Sequence, residues 1–198
     1  LKSLLKEHSI PKWIELLKEN NLRIVKSELE VSGVISSPDK KTDIKLNARI
    51  DLLLKNADDN YVIFDLKYHG GTGTTKRQNQ IKDGKDYQLV MYRALVEKMV
   101  EEKRLPEGKV DAVGFFMLAT RELFSAYPFV GSETIKPKLT FQQSLDALFA
   151  AYNEVVENLC NGILKEGEGM PYIDDKGKTK KAPDNSYGEN KVLKGKLN

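Results

Sequence analysis

The stretch that decides the fold is residues 49–67, which read RIDLLLKNADDNYVIFDLK. Two apolar runs rich in β-forming side chains flank a polar turn at residues 56–60, a pattern typical of an antiparallel hairpin. Each run carries one aspartate, Asp51 in the first and Asp65 in the second. Burying a carboxylate among apolar side chains is unfavourable unless a cation or hydrogen bonds compensate. The hairpin therefore predicts either a structural salt bridge or a functional site.

The register of this hairpin favours the functional interpretation. A turn centred near Asp58 places Asp51 opposite Asp65, because each lies seven residues from the centre. Side chains facing each other in this way have Cβ atoms about 5 Å apart, so two ionised carboxylates repel unless a divalent cation lies between them. Oxygen ligands favour Mg²⁺ or Mn²⁺ over zinc. Lys67 shares the strand face of Asp65, where it can stabilise an anionic transition state.

The rest of the chain predicts an α/β fold. Alternating apolar and polar residues over Arg23–Ile35 predict a strand before the hairpin. Apolar residues at helical spacing over Tyr87–Val100 predict a helix with one buried face, and Val110–Leu118 predicts a buried central strand. We therefore expect a mixed β-sheet flanked by helices. The other predicted elements are one or two short helices in Leu4–Leu17, a strand at Leu123–Val130 and a long helix at Phe141–Leu164.

Composition predicts where the domain begins and ends. We expect one domain at residues 1–166, with its core at about 23–120, and an irregular tail at residues 167–198, which are rich in Lys, Gly, Asp and Asn. The segment Gly70–Gly73, with the polar residues that follow it, predicts a mobile loop. No apolar run is long enough for a membrane span and no signal peptide is visible, so we expect a cytoplasmic protein.

Charge and cysteine content narrow the class of protein only a little. The net charge of +3 is mildly basic, and a solvated surface of mixed charge explains it better than a nucleic-acid partner does. The single cysteine, Cys160, excludes an intrachain disulfide and a site built of several thiolates. Cys160 lies in an apolar helical stretch, where we expect a buried thiol.

A third motif follows the hairpin on the predicted helix. Gln88 and Tyr92 are four residues apart and so share one face of that helix. Neighbouring apolar residues can hold the helix against the sheet, with both side chains directed toward the carboxylates. A glutamine on the helix surface and a partly buried tyrosine explain the pair equally well when it is considered alone.

The order of these motifs resembles a known family. Arg49-Ile50-Asp51, then Asp65-Leu66-Lys67, then Gln88-x-x-x-Tyr92 resemble the PD-(D/E)xK nuclease superfamily, and more closely its RecB/AddB-like branch. The resemblance covers roughly residues 25–97. It implies a restriction-endonuclease-like fold and a metal-dependent nuclease that acts on DNA in end processing, recombination or repair, commonly alongside a helicase.

The resemblance also assigns roles to individual residues. Asp51 and Asp65 match metal ligands, joined by the backbone carbonyl of Leu66, and Lys67 matches the catalytic lysine. Gln88 and Tyr92 match the motif that supports the site and contacts the substrate. Glu28 or Glu30 is a candidate further acidic ligand, with Glu28 preferred, although an exposed strand face explains both.

Departures from the family pattern limit the comparison. Ala48 stands where the branch has glycine. The branch often has an upstream histidine or glutamate on a helix that completes the metal site, and His8, the only histidine before the strands, lies near Pro11 in a poor context. We expect that motif to lie upstream of Leu1 or to be absent. Many relatives hold an iron–sulfur cluster with four cysteines, so the lone Cys160 predicts no cluster. Lys76 and Arg77 are candidates for contacts with DNA phosphates. The alternative function is a non-catalytic, nuclease-like module that binds DNA or stabilises a helicase–nuclease assembly.

Overall fold

The computed structural model describes residues 5–68 and 72–161, and two short strands beyond them. Two compact units divide the chain, Leu1–Tyr152 and Asn153–Asn198, and the first contains the main sheet. The helical elements are a π-helical turn at Leu5–Ser9, then α1 (Ile10–Glu19), α2 (Thr72–Lys82), α3 (Tyr87–Glu101) and α4 (Phe141–Cys160). The strands are β1 (Arg23–Ser36), β2 (Asp43–Lys55), β3 (Tyr61–Lys67), β4 (Val110–Met117), β5 (Glu122–Ser125), β6 (Ser132–Thr134), β7 (Tyr172–Ile173) and β8 (Thr179–Lys180).

The first six strands form one mixed sheet, in which neighbours in sequence are neighbours in space, from β1 to β6. The pairs β1–β2, β2–β3 and β4–β5 are antiparallel. The pairs β3–β4 and β5–β6 are parallel. The crossover from β3 to β4 carries α2 and α3, as a parallel pair requires a long connection. The predicted α/β fold with a mixed sheet is confirmed.

Helices cover both faces of this sheet. On one face, the apolar side of α3 packs on β1, β2 and β3 through residues such as Tyr92, Leu95 and Ile63. On the other face, Leu16 of α1 packs with Phe64 and with residues of β4 and β5. Strand β3 is buried on both faces, which explains why its sequence is almost continuously apolar. The aspartate at its end is therefore held by a rigid, central strand.

The predicted mobile loop is wrong over most of its length. Residues Thr72–Lys82 form α2, whereas His69–Gly71 lie outside the described residues. Ile81 is the only large apolar residue in α2, so no amphipathic periodicity predicted a helix. Burial of Ile81 and an ion pair of Arg77 with Asp86 hold the helix in place instead. These are tertiary contacts, which local sequence patterns do not reveal.

Smaller differences concern the second half of the chain. The predicted strand at Leu123–Val130 is shorter, because pairing with β4 ends at Ser125. Cys160 is exposed in the last turn of α4, so the prediction of a buried thiol is wrong. Most of the predicted tail at residues 167–198 lies outside the described residues, which include only β7 and β8 there. Within the described segments, no helix is long and apolar enough to cross a membrane.

Candidate active site

The hairpin of β2 and β3 has the register predicted from its turn. Leu52 pairs with Phe64, and the pairing continues outward to Lys55 and Tyr61 at the turn. The regular pairing of β2 with β3 ends at Leu52 and Phe64, and the two aspartates are the next residue on each strand. Beyond this point, the backbone N–H of Leu66 donates to Asp51 Oδ2 at 2.7 Å. A side-chain carboxylate thus accepts a bond that a strand carbonyl would otherwise receive.

Asp51 lies where the alternation of side chains along β2 is interrupted. Ile50 and Leu53 both contact the core beneath α3, whereas Leu52 contacts the opposite core beneath α1. Regular alternation would put Ile50 and Leu52 on the same face. The neighbouring strand is irregular at the same level, because Glu28 has a φ of +50°. Such a backbone conformation in a residue other than glycine is unfavourable and is often found at functional sites.

Asp65 is the most deeply buried carboxylate of the site, with 2% of its side chain exposed. Its Oδ1 accepts a hydrogen bond from Gln88 Nε2 at 3.0 Å. Its Oδ2 lies 2.7 Å from Lys67 Nζ in an ion pair, and no second donor reaches this oxygen. Burial raises the pKa of Asp65, and the neighbouring charge of Asp51 adds to the rise, although Lys67 opposes it. Each oxygen of this buried carboxylate therefore has one close partner, Gln88 for Oδ1 and Lys67 for Oδ2.

Helix α3 supports Asp65 through the two residues of its motif. Gln88 Nε2 donates to Tyr92 Oη at 2.8 Å as well as to Asp65. Tyr92 Oη in turn donates to the backbone carbonyl of Arg49 at 3.0 Å, which ties α3 to β2 next to Asp51. Burial raises the pKa of Tyr92, so its hydroxyl keeps its proton and remains a donor. The structure thus brings Gln88 and Tyr92 to Asp65 and to the β2 backbone two residues before Asp51.

Asp86 is a residue of this region that sequence reasoning missed. Its Oδ1 accepts the backbone N–H of Leu89 at 3.2 Å and caps the start of α3, two residues before Gln88. Its Oδ2 lies 3.3 Å from Arg77 Nη1 of α2. Burial raises the pKa of Asp86, which is 5% exposed. An aspartate immediately before a helical pattern is a recognised N-cap signal and could have identified it.

One aromatic ring links these two ion pairs. The guanidinium of Arg77 lies 5.0 Å from the centre of the Phe115 ring, and Lys67 Nζ lies 5.9 Å from the same centre. Cations near an aromatic ring are stabilised by its negative face. Arg77 is also close enough to help lower the pKa of Asp65 against the effect of burial. The pairs Asp65–Lys67 and Asp86–Arg77 therefore form one electrostatic unit around Phe115.

The donor set fits a hard divalent cation. Asp51 and Asp65 provide carboxylate oxygens, and one of these, Asp65 Oδ2, is buried with the Lys67 ammonium as its one close partner. Among the described residues, no three His, Cys, Asp or Glu side chains come together as a metal-binding group. Magnesium commonly binds through only one or two carboxylates and completes its shell with water and substrate phosphate. Two aspartates are therefore sufficient protein ligands for Mg²⁺.

The remaining predicted residues are Glu28, Glu30 and Lys76. Glu28 is exposed and pairs with Arg49, its Oε2 lying 3.0 Å from Nε. Glu30 is exposed and stands opposite Arg49 in the β1–β2 register. Lys76 is exposed on α2. Neither glutamate has a described contact with Asp51 or Asp65, so a third acidic ligand stays a prediction.

Comparison with known proteins identifies the family to which this site belongs. The family model of the PD-(D/E)XK nuclease superfamily matches residues 2–174, which include every strand of the main sheet and all the candidate site residues. A search of curated proteins gave no match. The matched region covers most of the 198 residues. The chain therefore belongs to the PD-(D/E)XK nuclease superfamily.

Proposed function

We propose that this chain is a metal-dependent deoxyribonuclease of the RecB/AddB-like branch, with Mg²⁺ or Mn²⁺ as cofactor. The observation that supports the proposal is the deep burial of Asp65 beside Lys67, with a pKa that burial raises and that the charge of Asp51 raises further. A buried carboxylate next to a second carboxylate is unfavourable unless a cation compensates. Asp51, Asp65 and the Leu66 carbonyl would hold the cation.

In this proposal, different residues have different roles in phosphodiester hydrolysis. A bound divalent cation would neutralise charge on the phosphate oxygens and promote ionisation of attacking water. Lys67 has 20% of its side chain exposed, so its ammonium can reach a phosphate and stabilise the negative charge of the transition state. Gln88 and Tyr92 hold Asp65 and the β2 backbone in fixed positions. Rigid support of this kind limits reorganisation during the reaction.

Substrate contacts and cellular role are further parts of this proposal. We assign Lys76 to a DNA phosphate, because it is exposed on the helix that follows β3. Arg77 adds positive charge beside Asp65 while it remains paired with Asp86. The RecB/AddB-like motifs favour DNA-end processing in recombination or repair, in the cytoplasm and with a helicase as partner.

A second candidate is a non-catalytic, nuclease-like module that binds DNA or supports a helicase–nuclease assembly. The absence of a third acidic or histidine ligand among the described residues favours it. The joint presence of Asp51, Asp65 and Lys67 favours catalysis, since a structural domain requires none of them.

The test is a cleavage assay with Mg²⁺ or Mn²⁺ on single-stranded, duplex and end-bearing DNA. We expect wild-type protein to cleave and Asp65→Asn to lose cleavage, because asparagine keeps the shape and removes the charge that holds the cation. DNA binding by the variant should persist. Wild-type protein that cleaves none of these substrates would support the non-catalytic alternative, and cleavage by the variant at the wild-type rate would contradict the proposed site.

A further inference from the structure

Three exposed lysines from different segments meet around Asp83, close in sequence to the start of α3, the helix that carries Gln88 and Tyr92. Lys82 ends α2, Lys85 lies in the connection to α3, and Lys138 precedes α4. We call these three the lysine patch. Asp83 lies among them, and its Oδ1 is 2.6 Å from Lys138 Nζ. Hydrogen bonding to Lys138 lowers the pKa of Asp83, and the charges of Lys85 and Lys82 lower it further.

The backbone beneath the lysine patch is fixed. The N–H of Lys138 donates to the carbonyl of Lys82 at 2.8 Å, so two of the segments are joined directly. Gly84 lies two residues after the end of α2 and has a φ of +65°, in the left-handed region. A Cβ at Gly84 would come within 2.7 Å of Ser144 Oγ and 2.8 Å of Leu139 Cβ, so this close packing requires glycine. The lysines therefore project from a rigid platform.

Electrostatics leave the patch with an excess of positive charge. Three ammonium groups surround one carboxylate, and in the described part of the chain Lys82 and Lys85 form no ion pair of their own. A helix C-terminus favours one nearby cation, which accounts for Lys82. It does not account for Lys85 or Lys138, which lie outside the helix.

The position of the patch suggests what it binds. Lys85 immediately precedes Asp86, the N-cap of α3, and lies three residues before Gln88, which binds Asp65. A strand whose phosphodiester bond reaches Asp65 would have its neighbouring phosphates close to the start of α3. We propose that Lys82, Lys85 and Lys138 bind the phosphate backbone of the DNA strand beside the cleavage site. This inference rests on the proposed function, since it takes DNA as the ligand.

The experiment measures DNA affinity as a function of salt. Affinity falls with salt, and each phosphate contact makes the slope of log affinity against log salt concentration steeper by roughly 0.7 to 0.9. The 198-residue chain carrying Asp65→Asn is titrated with a labelled oligonucleotide in EDTA, with and without Lys82→Ala, Lys85→Ala and Lys138→Ala together. We expect the triple change to reduce the slope by about two and to weaken binding roughly tenfold or more, whatever the base sequence.

A matched control removes three lysines elsewhere. Lys12, Lys18 and Lys45 lie on α1 and β2, and the ion pair of Lys12 with Glu15 at 2.8 Å parallels that of Lys138 with Asp83. Replacing these three by alanine should leave the slope and the affinity almost unchanged. Thermal melting of both variants shows whether either change disturbs the fold.

The outcomes separate this inference from the nuclease proposal. If the two triple variants bind DNA with equal slopes, or if wild-type protein binds no DNA, the inference is overturned. Equal slopes for the two triple variants would instead favour an acidic protein segment as the ligand of the lysine patch. If wild-type protein cleaves DNA and the triple variant binds DNA as tightly as the protein with its patch lysines, only the proposed role of the lysine patch is contradicted. Protein that needs the patch for binding but never cleaves supports the patch and contradicts the nuclease activity.

Discussion

The two ends of the β2–β3 hairpin use similar residues to opposite effect. At the turn, Asp111 of β4 accepts the side-chain amides of Asn56 and Asn60, each at 2.9 Å, and Lys109 lies 3.4 Å from its other oxygen. At the open end, Asp65 has one amide donor, Gln88, and the Lys67 ammonium at 2.7 Å. Both aspartates thus have a lysine and at least one amide as partners, and they differ in their burial.

Burial makes this difference informative. Asp111 has 17% of its side chain exposed, so water can complete its contacts, whereas Asp65 has 2% exposed. A deeply buried carboxylate is unfavourable, and carboxylates with strongly perturbed pKa values are concentrated at functional sites. Lysine and amide partners alone therefore do not distinguish a functional aspartate from a structural one. Deep burial beside a second carboxylate favours a functional role.

The largest expected effect comes from changing one carboxylate at each end. Asp51→Asn should reduce cleavage by roughly a thousandfold or more, because it removes a ligand charge from the cation while its amide oxygen can still accept the Leu66 N–H. Asp111→Asn should leave cleavage within about twofold and should lower stability by about 1 kcal/mol. Steady-state cleavage and thermal melting measure the two effects. Loss of cleavage in the Asp111 variant would remove the distinction between the ends.

A second prediction compares two lysines. Lys55 at the turn is buried, donates to the Glu107 carbonyl at 3.2 Å and lies over the Tyr61 ring. Lys67 at the open end pairs with Asp65. Lys67→Met should slow cleavage roughly a hundredfold through lost transition-state stabilisation. Lys55→Met should cause less than about a threefold loss in cleavage and should mainly change the melting temperature. Equal cleavage by the Lys67 variant and wild type would argue against its catalytic role.

The smallest expected effect is the pH dependence of stability. Burial raises the pKa of Asp86, so its stabilising contribution is complete below its unfolded pKa of about 3.9 and declines as pH rises through the folded value. Hydrogen bonding to Lys138 lowers the pKa of Asp83, so its contribution is complete above about 3.9 and declines as pH falls through the folded value.

These opposite signs give a measurable contrast. As pH rises from about 4 to about 8, Asp86→Asn should gain melting temperature relative to wild type, by up to a few degrees. Asp83→Asn should not gain in this way, because its wild-type carboxyl stabilises the fold throughout most of that range. Melting curves over this range test both. Parallel trends in the two variants would contradict the assignment of Asp86 as a buried carboxylate.

The sequence predicted the parts of the site that depend on local order. The hairpin register followed from the turn and two apolar strands, and the structure confirms it from Leu52–Phe64 to Lys55–Tyr61. The helix with Gln88 and Tyr92 followed from apolar periodicity. Each of these features is fixed by neighbours in sequence, which is where periodicity and turn chemistry carry information.

The sequence could not predict features that depend on distant contacts. Helix α2 is held by Ile81 and by the pair of Arg77 with Asp86, and its own sequence is polar throughout most of its length. The positive φ of Glu28 lies at the level of Asp51 in the β1–β2 register, and no pattern within a single strand predicts it. The lysine patch joins segments more than fifty residues apart. Tertiary structure alone brings such residues together.

The central claim is that Asp51 and Asp65 together hold one divalent cation. Its most direct test is the binding of Mn²⁺ to metal-free protein, followed by electron paramagnetic resonance or calorimetry. We expect one site in wild type and in Asp111→Asn, and loss of that site in Asp51→Asn and in Asp65→Asn. Wild-type protein that binds no Mn²⁺, or an Asp65 variant that binds it as tightly as wild type, would contradict the claim.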